Sequence, residues 1–144
     1  MRRLLRDESG STLILTIFYA ALSLVLILLV TAATSLYLER KRLFTLADGA
    51  ALAGAEAFDL TDVTTVASGP GVVLDDSRVS AAVAAHVAAV PHDFEGLVIE
   101  RAESPGGSGA VVGLSALWRP PVVSLLVPEG IRIGVEASAR SVFG

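Results

Sequence analysis

The chain has 144 residues, a hydrophobic fraction of 53% and a charged fraction of 18%, which fits one small domain plus an apolar segment rather than two full domains. Its formal net charge is −4, and the part beyond residue 58 carries ten acids against five arginines, so nucleic acid is not the expected partner. There is no cysteine, which excludes a disulfide-stapled scaffold and thiolate chemistry alike.

In chain order, residues 1–10 form a basic leader, with Arg2, Arg3 and Arg6 against Asp7 and Glu8. From Ser11 to Leu38 no charged residue occurs. A helix over residues 11–38 reaches about 42 Å, while a bilayer core needs about 30 Å, so this segment is expected to be a transmembrane helix. A cleaved secretory signal is the competing reading, with Thr31-Ala32-Ala33 as the small-residue cut site. The apolar run is longer than such a signal needs. Three basic residues precede the span and three follow it, at Arg40, Lys41 and Arg42, so charge alone leaves its orientation open.

Residues 39–58 are expected to extend the helix. Leu43, Leu46, Ala47, Ala50, Ala53 and Ala57 recur at helical spacing, with no proline and no turn cluster. Gly49 with Ala53, and Ala50 with Gly54, are small residues four apart, a spacing that lets another backbone come close. Asp48, Gly49, Ala50, Ala53 and Gly54 are therefore the expected packing residues. The partner is either the chain's own domain or a neighbouring subunit. Asp48 opposite Lys41 or Arg42 of a neighbour competes with Asp48 on a solvated face.

Residues 59–144 are expected to form a small α+β domain. The stretch to Gly71 is rich in turn residues. A second helix follows, capped by Asp75 or Asp76, striped by Val79, Ala82, Val83, His86, Val87 and Val90, and closed by Pro91. Residues 112–118 and 131–140 alternate apolar and polar as half-buried strands do, and residues 97–103 do so more weakly. Ser104-Pro105-Gly106-Gly107-Ser108-Gly109 reads as a hairpin loop, and residues 122–127 as an apolar turn or short helix. Such a sheet of about three strands must pack on a helix. The small-residue face and the valine stripe are the candidates.

No pattern for catalysis or cofactor binding is visible. His86 lies in the valine stripe, and His92 beside Asp93 and Glu95 reads as a loop histidine among solvated acids rather than a zinc ligand. Asp75-Asp76 lacks calcium-loop spacing, no serine sits in a nucleophile elbow, and the glycine-rich loop lacks a phosphate-loop lysine. The expectation is a protein that is not an enzyme, without metal or cofactor.

Two places resemble the TadE/TadG-like pilus-assembly proteins of bacterial tight-adherence systems. One is Arg6-Asp7-Glu8-Ser9-Gly10-Ser11, a charged entry ending in glycine before the apolar helix; the other is the alanine-rich stretch from Leu46 to Ala55. The resemblance implies a pilin-like fold, a bacterial membrane location, a cytoplasmic N-terminus and an extracytoplasmic domain. It further implies other pilin-like or pilus-assembly subunits as partners. A prepilin peptidase is an implied partner too, cutting after Gly10 to leave Ser11 first. Many pilin-like proteins carry glutamate at the fifth mature position; here Leu15 stands there, which points to a minor subunit or assembly factor. The expected function is thus a pilin-like structural or assembly component working by helix packing and protein contacts. The alternative is a membrane-anchored extracytoplasmic binding or sensing module.

Overall fold

A computed structural model describes residues 9–57, 63–66, 69–72, 74–120, 124 and 127–140. One helix, α1 (Ser9–Ala55), runs unbroken for 47 residues, about 70 Å. No proline interrupts it, and it passes through Thr31-Ala32-Ala33 without a break. Its apolar run contains hydroxyls that lipid would not solvate, and three of them donate back one turn. Thr16 donates to the Thr12 carbonyl at 2.8 Å, Thr31 to that of Ile27 at 2.8 Å and Thr34 to that of Val30 at 2.9 Å. Such back-bonding satisfies the donor inside the helix.

After α1 the chain forms two short paired strands, β1 (Val63–Val66) and β2 (Gly69–Val72). The turn-rich composition of this stretch concealed them, since Gly69, Pro70 and Gly71 are poor strand formers. Helix α2 (Asp76–Ala89) follows, then β3 (Glu95–Glu103), β4 (Gly109–Trp118) and β5 (Ile131–Arg140). The last three form one antiparallel sheet in the order β3-β4-β5. The α+β architecture read from periodicity is the one observed. The β4–β5 ladder is regular from Gly109↔Arg140 to Trp118↔Ile131, whereas β3 slips register twice against β4. That irregularity is why the alternation in β3 is faint in the sequence. The expected helix end at Phe58-Asp59-Leu60 lies outside the described residues; α1 closes at Ala55, and the Ala57 N–H bonds the Gly54 carbonyl at 3.2 Å. The apolar turn expected over 122–127 lies largely outside the described residues as well.

Caps and turns follow the sequence signals closely. Asp75 is the N-cap of α2, accepting from the Ser77 N–H at 2.7 Å and from the Ser77 hydroxyl. These bonds hold its carboxyl below the ordinary value of 3.8, the Ser77 hydroxyl contributing most. Its neighbour Asp76 accepts the Ser104 N–H at 2.7 Å instead, and so ties α2 to the β3–β4 loop. In that loop Pro105 and Gly106 occupy the centre of a turn closed by Gly107 N–H to the Ser104 carbonyl at 3.1 Å. Gly106 has φ +91°, the conformation that makes glycine the residue of choice there.

The core lies between α1, α2 and the inner face of the sheet. Leu43, Leu46, Ala47, Ala50, Ala51 and Ala55 of α1 are buried. They meet Val79, Val83 and Val87 of α2, and Val112, Leu114, Ala116 and Trp118 of β4. The valine stripe and the small-residue face thus cover the sheet together.

Candidate interaction surfaces

The small-residue face of α1 is occupied by the chain's own domain. A Cβ at Gly54 would lie 3.0 Å from the Ala110 Cβ and 3.2 Å from methyl carbons of both Val79 and Val83. A Cβ at Gly49 would lie 2.9 Å from Nε2 of His86. Ala50 is fully buried and Ala53 half-buried. Glycine and alanine are needed here because α2 and β4 come onto the backbone of α1. Asp48 is exposed and points away from this seam.

Among the described residues, none covers the opposite face of the same helix. Tyr37, Lys41, Phe44, Asp48 and Leu52 are spaced by three or four residues and therefore share one stripe. All five are exposed, and three are large and apolar: Tyr37 at 67%, Phe44 at 47% and Leu52 at 51%. A shallow groove runs beside this stripe, lined by Tyr37, Arg40, Lys41, Phe44, Val135 and Glu136. The signal for this stripe was in the sequence as the residues left over once the alanine face was assigned. Nearer the N-terminus the helix is exposed almost all round, with apolar residues from Leu13 to Val30 facing outward. Residues 12–55 contain an apolar window of mean hydropathy 2.9 with none of it buried. An all-round apolar surface of this length is that of a membrane anchor.

The candidate processing bond between Gly10 and Ser11 lies in the helical part of the chain, next to residues 1–8 of the leader, which lie outside the described residues.

The outer face of the sheet is polar and self-satisfied. Ser115, only 4% exposed, donates to Glu100 and accepts from Arg132 Nη1 at 2.8 Å. Arg132 Nη1 also reaches the Gly96 carbonyl at 3.3 Å. Arg101 pairs with Glu103 and with Glu136 at 3.5 Å. These bonds join β3 to β4 and β5 across the wet face. Near the C-terminal end of α2, Arg42 reaches Asp93 at 3.5 Å, and the His92 and Phe94 rings lie 5.8 Å apart. Among the described residues no three His, Asp or Glu side chains converge as a metal site would require. The surfaces on offer are apolar or ion-paired faces suited to contact with other macromolecules.

No curated protein and no solved structure matches the chain. The matching family model is described as putative Flp pilus-assembly TadE/G-like, and it spans residues 10–57. That stretch begins at the entry glycine, covers the apolar run and ends with the small-residue seam, which is to say nearly all of α1. Over this third of its length, the chain is similar to the TadE/G-like Flp pilus-assembly family, and the matched helix is long and apolar enough to cross a membrane once.

Proposed function

We propose that the protein is a pilin-like structural or assembly subunit of a tight-adherence pilus apparatus, and that it works by contact rather than by catalysis. The observation that carries this reading is the exposed stripe Tyr37, Lys41, Phe44, Asp48 and Leu52 on the segment that matches the family model. A helix whose inner face is used by its own domain has only its outer face to offer a neighbour. Three large apolar residues on that face would gain from being covered, at about 25 cal/mol per Å² of apolar area. Lys41 and Asp48 lie two turns apart on the same stripe, so two parallel copies staggered by those turns would bring opposite charges together.

In this reading the N-terminus is cytoplasmic and the domain extracytoplasmic. A prepilin peptidase removes the leader after Gly10, leaving Ser11 at the mature terminus and Leu15 in its fifth position. A neutral Leu15 places no carboxylate in the apolar layer, where an unpaired one is costly. That suits a minor subunit or assembly factor.

Two measurements test this. Mass spectrometry of the protein from its native membrane should find a terminus at Ser11; a terminus at Met1 would remove the processing step and leave an uncleaved assembly factor. Phe44→Glu and Leu52→Glu should abolish pilus assembly while the protein still accumulates in the membrane. Normal piliation in both variants would rule out the stripe as the working surface and favour the sensing-module alternative.

A further inference from the structure

The packing of the domain along α1 fixes how far the sheet stands from the bilayer. Ala110, near the start of β4, meets the Gly54 position, and the Trp118 indole N–H at its end bonds the Ser35 hydroxyl at 3.3 Å. From Gly54 back to Ser35 the helix rises about 28 Å. From Ala110 to Trp118 the strand rises about 26 Å. The two run side by side in opposite directions over nearly equal lengths, so each end of β4 has a definite height on the helix. Trp118 pairs with Ile131, which puts the start of β5 at the height of Ser35 too. Ile133 and Gly134 agree with this, lining a groove with Ala33, Leu36, Tyr37 and Arg40.

Ser35 lies within the uncharged run that ends at Leu38. Residues 12–31 alone fill a hydrocarbon core of about 30 Å. Ser35 is then about 6 Å beyond the core. The headgroup layer on each side is itself about 5–7 Å deep. The β4–β5 end of the sheet therefore arrives at the lipid headgroups.

The side chains displayed there match that height. Val127 is 40% exposed and Ile131 43% exposed, beside Arg119, whose guanidinium pairs with Glu95 at 3.2 Å and reaches the Glu129 carbonyl at 3.4 Å; apolar side chains next to an arginine suit the boundary between lipid tails and headgroups. The opposite end of the same sheet carries Ser104-Pro105-Gly106-Gly107-Ser108-Gly109 and has no large apolar residue.

We infer that the β4–β5 end of the sheet is a second membrane contact, in which Val127 and Ile131 enter the interfacial layer of the phospholipid bilayer that holds α1. The occupant is the bilayer itself because this surface is continuous with the lipid-facing part of the helix. The contact rests on α1 spanning the membrane and is independent of any role in pilus assembly. It would keep the domain from swivelling about α1 and set the direction in which the stripe of Tyr37, Phe44 and Leu52 faces.

The cysteine-free sequence makes a direct test clean. Single variants Val127→Cys, Ile131→Cys, Ser138→Cys and Leu22→Cys of the full chain are labelled with a nitrobenzoxadiazole fluorophore. They are then reconstituted into phosphatidylcholine–phosphatidylglycerol vesicles, with Trp118 emission reporting the packed domain. Probes at 127 and 131 should emit to the blue of the probe at 138. Shallow nitroxide lipids should quench them severalfold more strongly than it. The probe at 22 should respond to deep nitroxide lipids. Quenching at 127 and 131 no greater than at 138, with the probe at 22 quenched, would overturn the contact while leaving the span intact. Absence of quenching at 22 as well would remove the span and the contact together, leaving the stripe on α1 to be tested separately.

Discussion

Gly49 and Gly54 carry the same sequence signal, a small residue four positions from another, yet they should respond differently to substitution. Alanine in place of a helical glycine gains about 1 kcal/mol of intrinsic helix preference. At Gly49 the added methyl meets only the imidazole of half-buried His86, a side-chain end that can swing aside. Gly49→Ala should therefore be neutral or raise the thermal midpoint. At Gly54 the neighbours are the Ala110 Cβ and two buried, β-branched valines that cannot turn away. Gly54→Leu should destabilise by about 1–3 kcal/mol, the usual cost of overpacking a filled core. Thermal unfolding of the full chain in detergent micelles checks both. Asp75 offers a third residue-scale test. Its carboxyl is held below 3.8 in the folded state, so its charged form adds stability above that value and the contribution is lost as the pH falls through the lowered folded value. The difference in thermal midpoint between the wild type and Asp75→Asn should shrink as the pH drops below about that ordinary value. Asp75→Ala should be less stable than both at neutral pH because the cap acceptor is gone.

At the scale of elements, α1 is two helices in one. Its first part is apolar all round and its second part is amphipathic, and the same backbone runs through both without a kink. From Ile133 to Arg140 of β5 burial follows the alternation, whereas β4, the central strand, is buried on both faces from Val112 to Ala116. Leu114, 1% exposed on the inner face of the central strand, should cost about 2–5 kcal/mol on truncation to alanine. Val98, 42% exposed, should tolerate Val98→Thr within about 0.5 kcal/mol. Equal losses at both positions in chemical unfolding would mean the sheet does not present these faces. The two bulged positions between β3 and β4 are compensated by side chains, since Glu100, Arg101 and Glu103 all bond across or along the sheet.

At the scale of the whole molecule, the domain is mounted along the helix rather than hung from its end. Its sheet lies beside α1 from Gly54 down to Ser35, so a large part of the predicted span and its extension is domain scaffold. Of the uncharged residues 11–38, the last few pack on the sheet; Ser35 and Leu36 are half-buried. About 20 residues remain for lipid, close to what a bilayer core requires. Placing a lysine at Leu24, in the exposed apolar stretch, should lower membrane insertion in a translocation assay by about 2.5–3.5 kcal/mol of apparent free energy. The same change at Tyr37, above the core, should leave insertion nearly unaffected.

Local chemistry decided much of this protein before any tertiary contact formed. The uncharged run made α1 a membrane helix, Asp75 and Pro91 bounded α2, and strict alternation from Ile131 to Arg140 marked β5, because each signal acts within a few residues. The family resemblance also lay in local stretches, at Gly10-Ser11 and from Leu46 to Ala55. Three things were decided only by the fold. The partner of the small-residue face was the chain's own α2 and β4, since which backbone fills a groove depends on contacts between residues far apart in sequence. The short pairing of β1 with β2 overrode a glycine- and proline-rich composition, because cross-strand bonds are not encoded in either strand alone. The height of the sheet on α1, fixed by Trp118 against Ser35 and Ala110 against Gly54, emerged only when strand and helix were laid side by side, and it turned the apolar β4–β5 end toward the lipid headgroups.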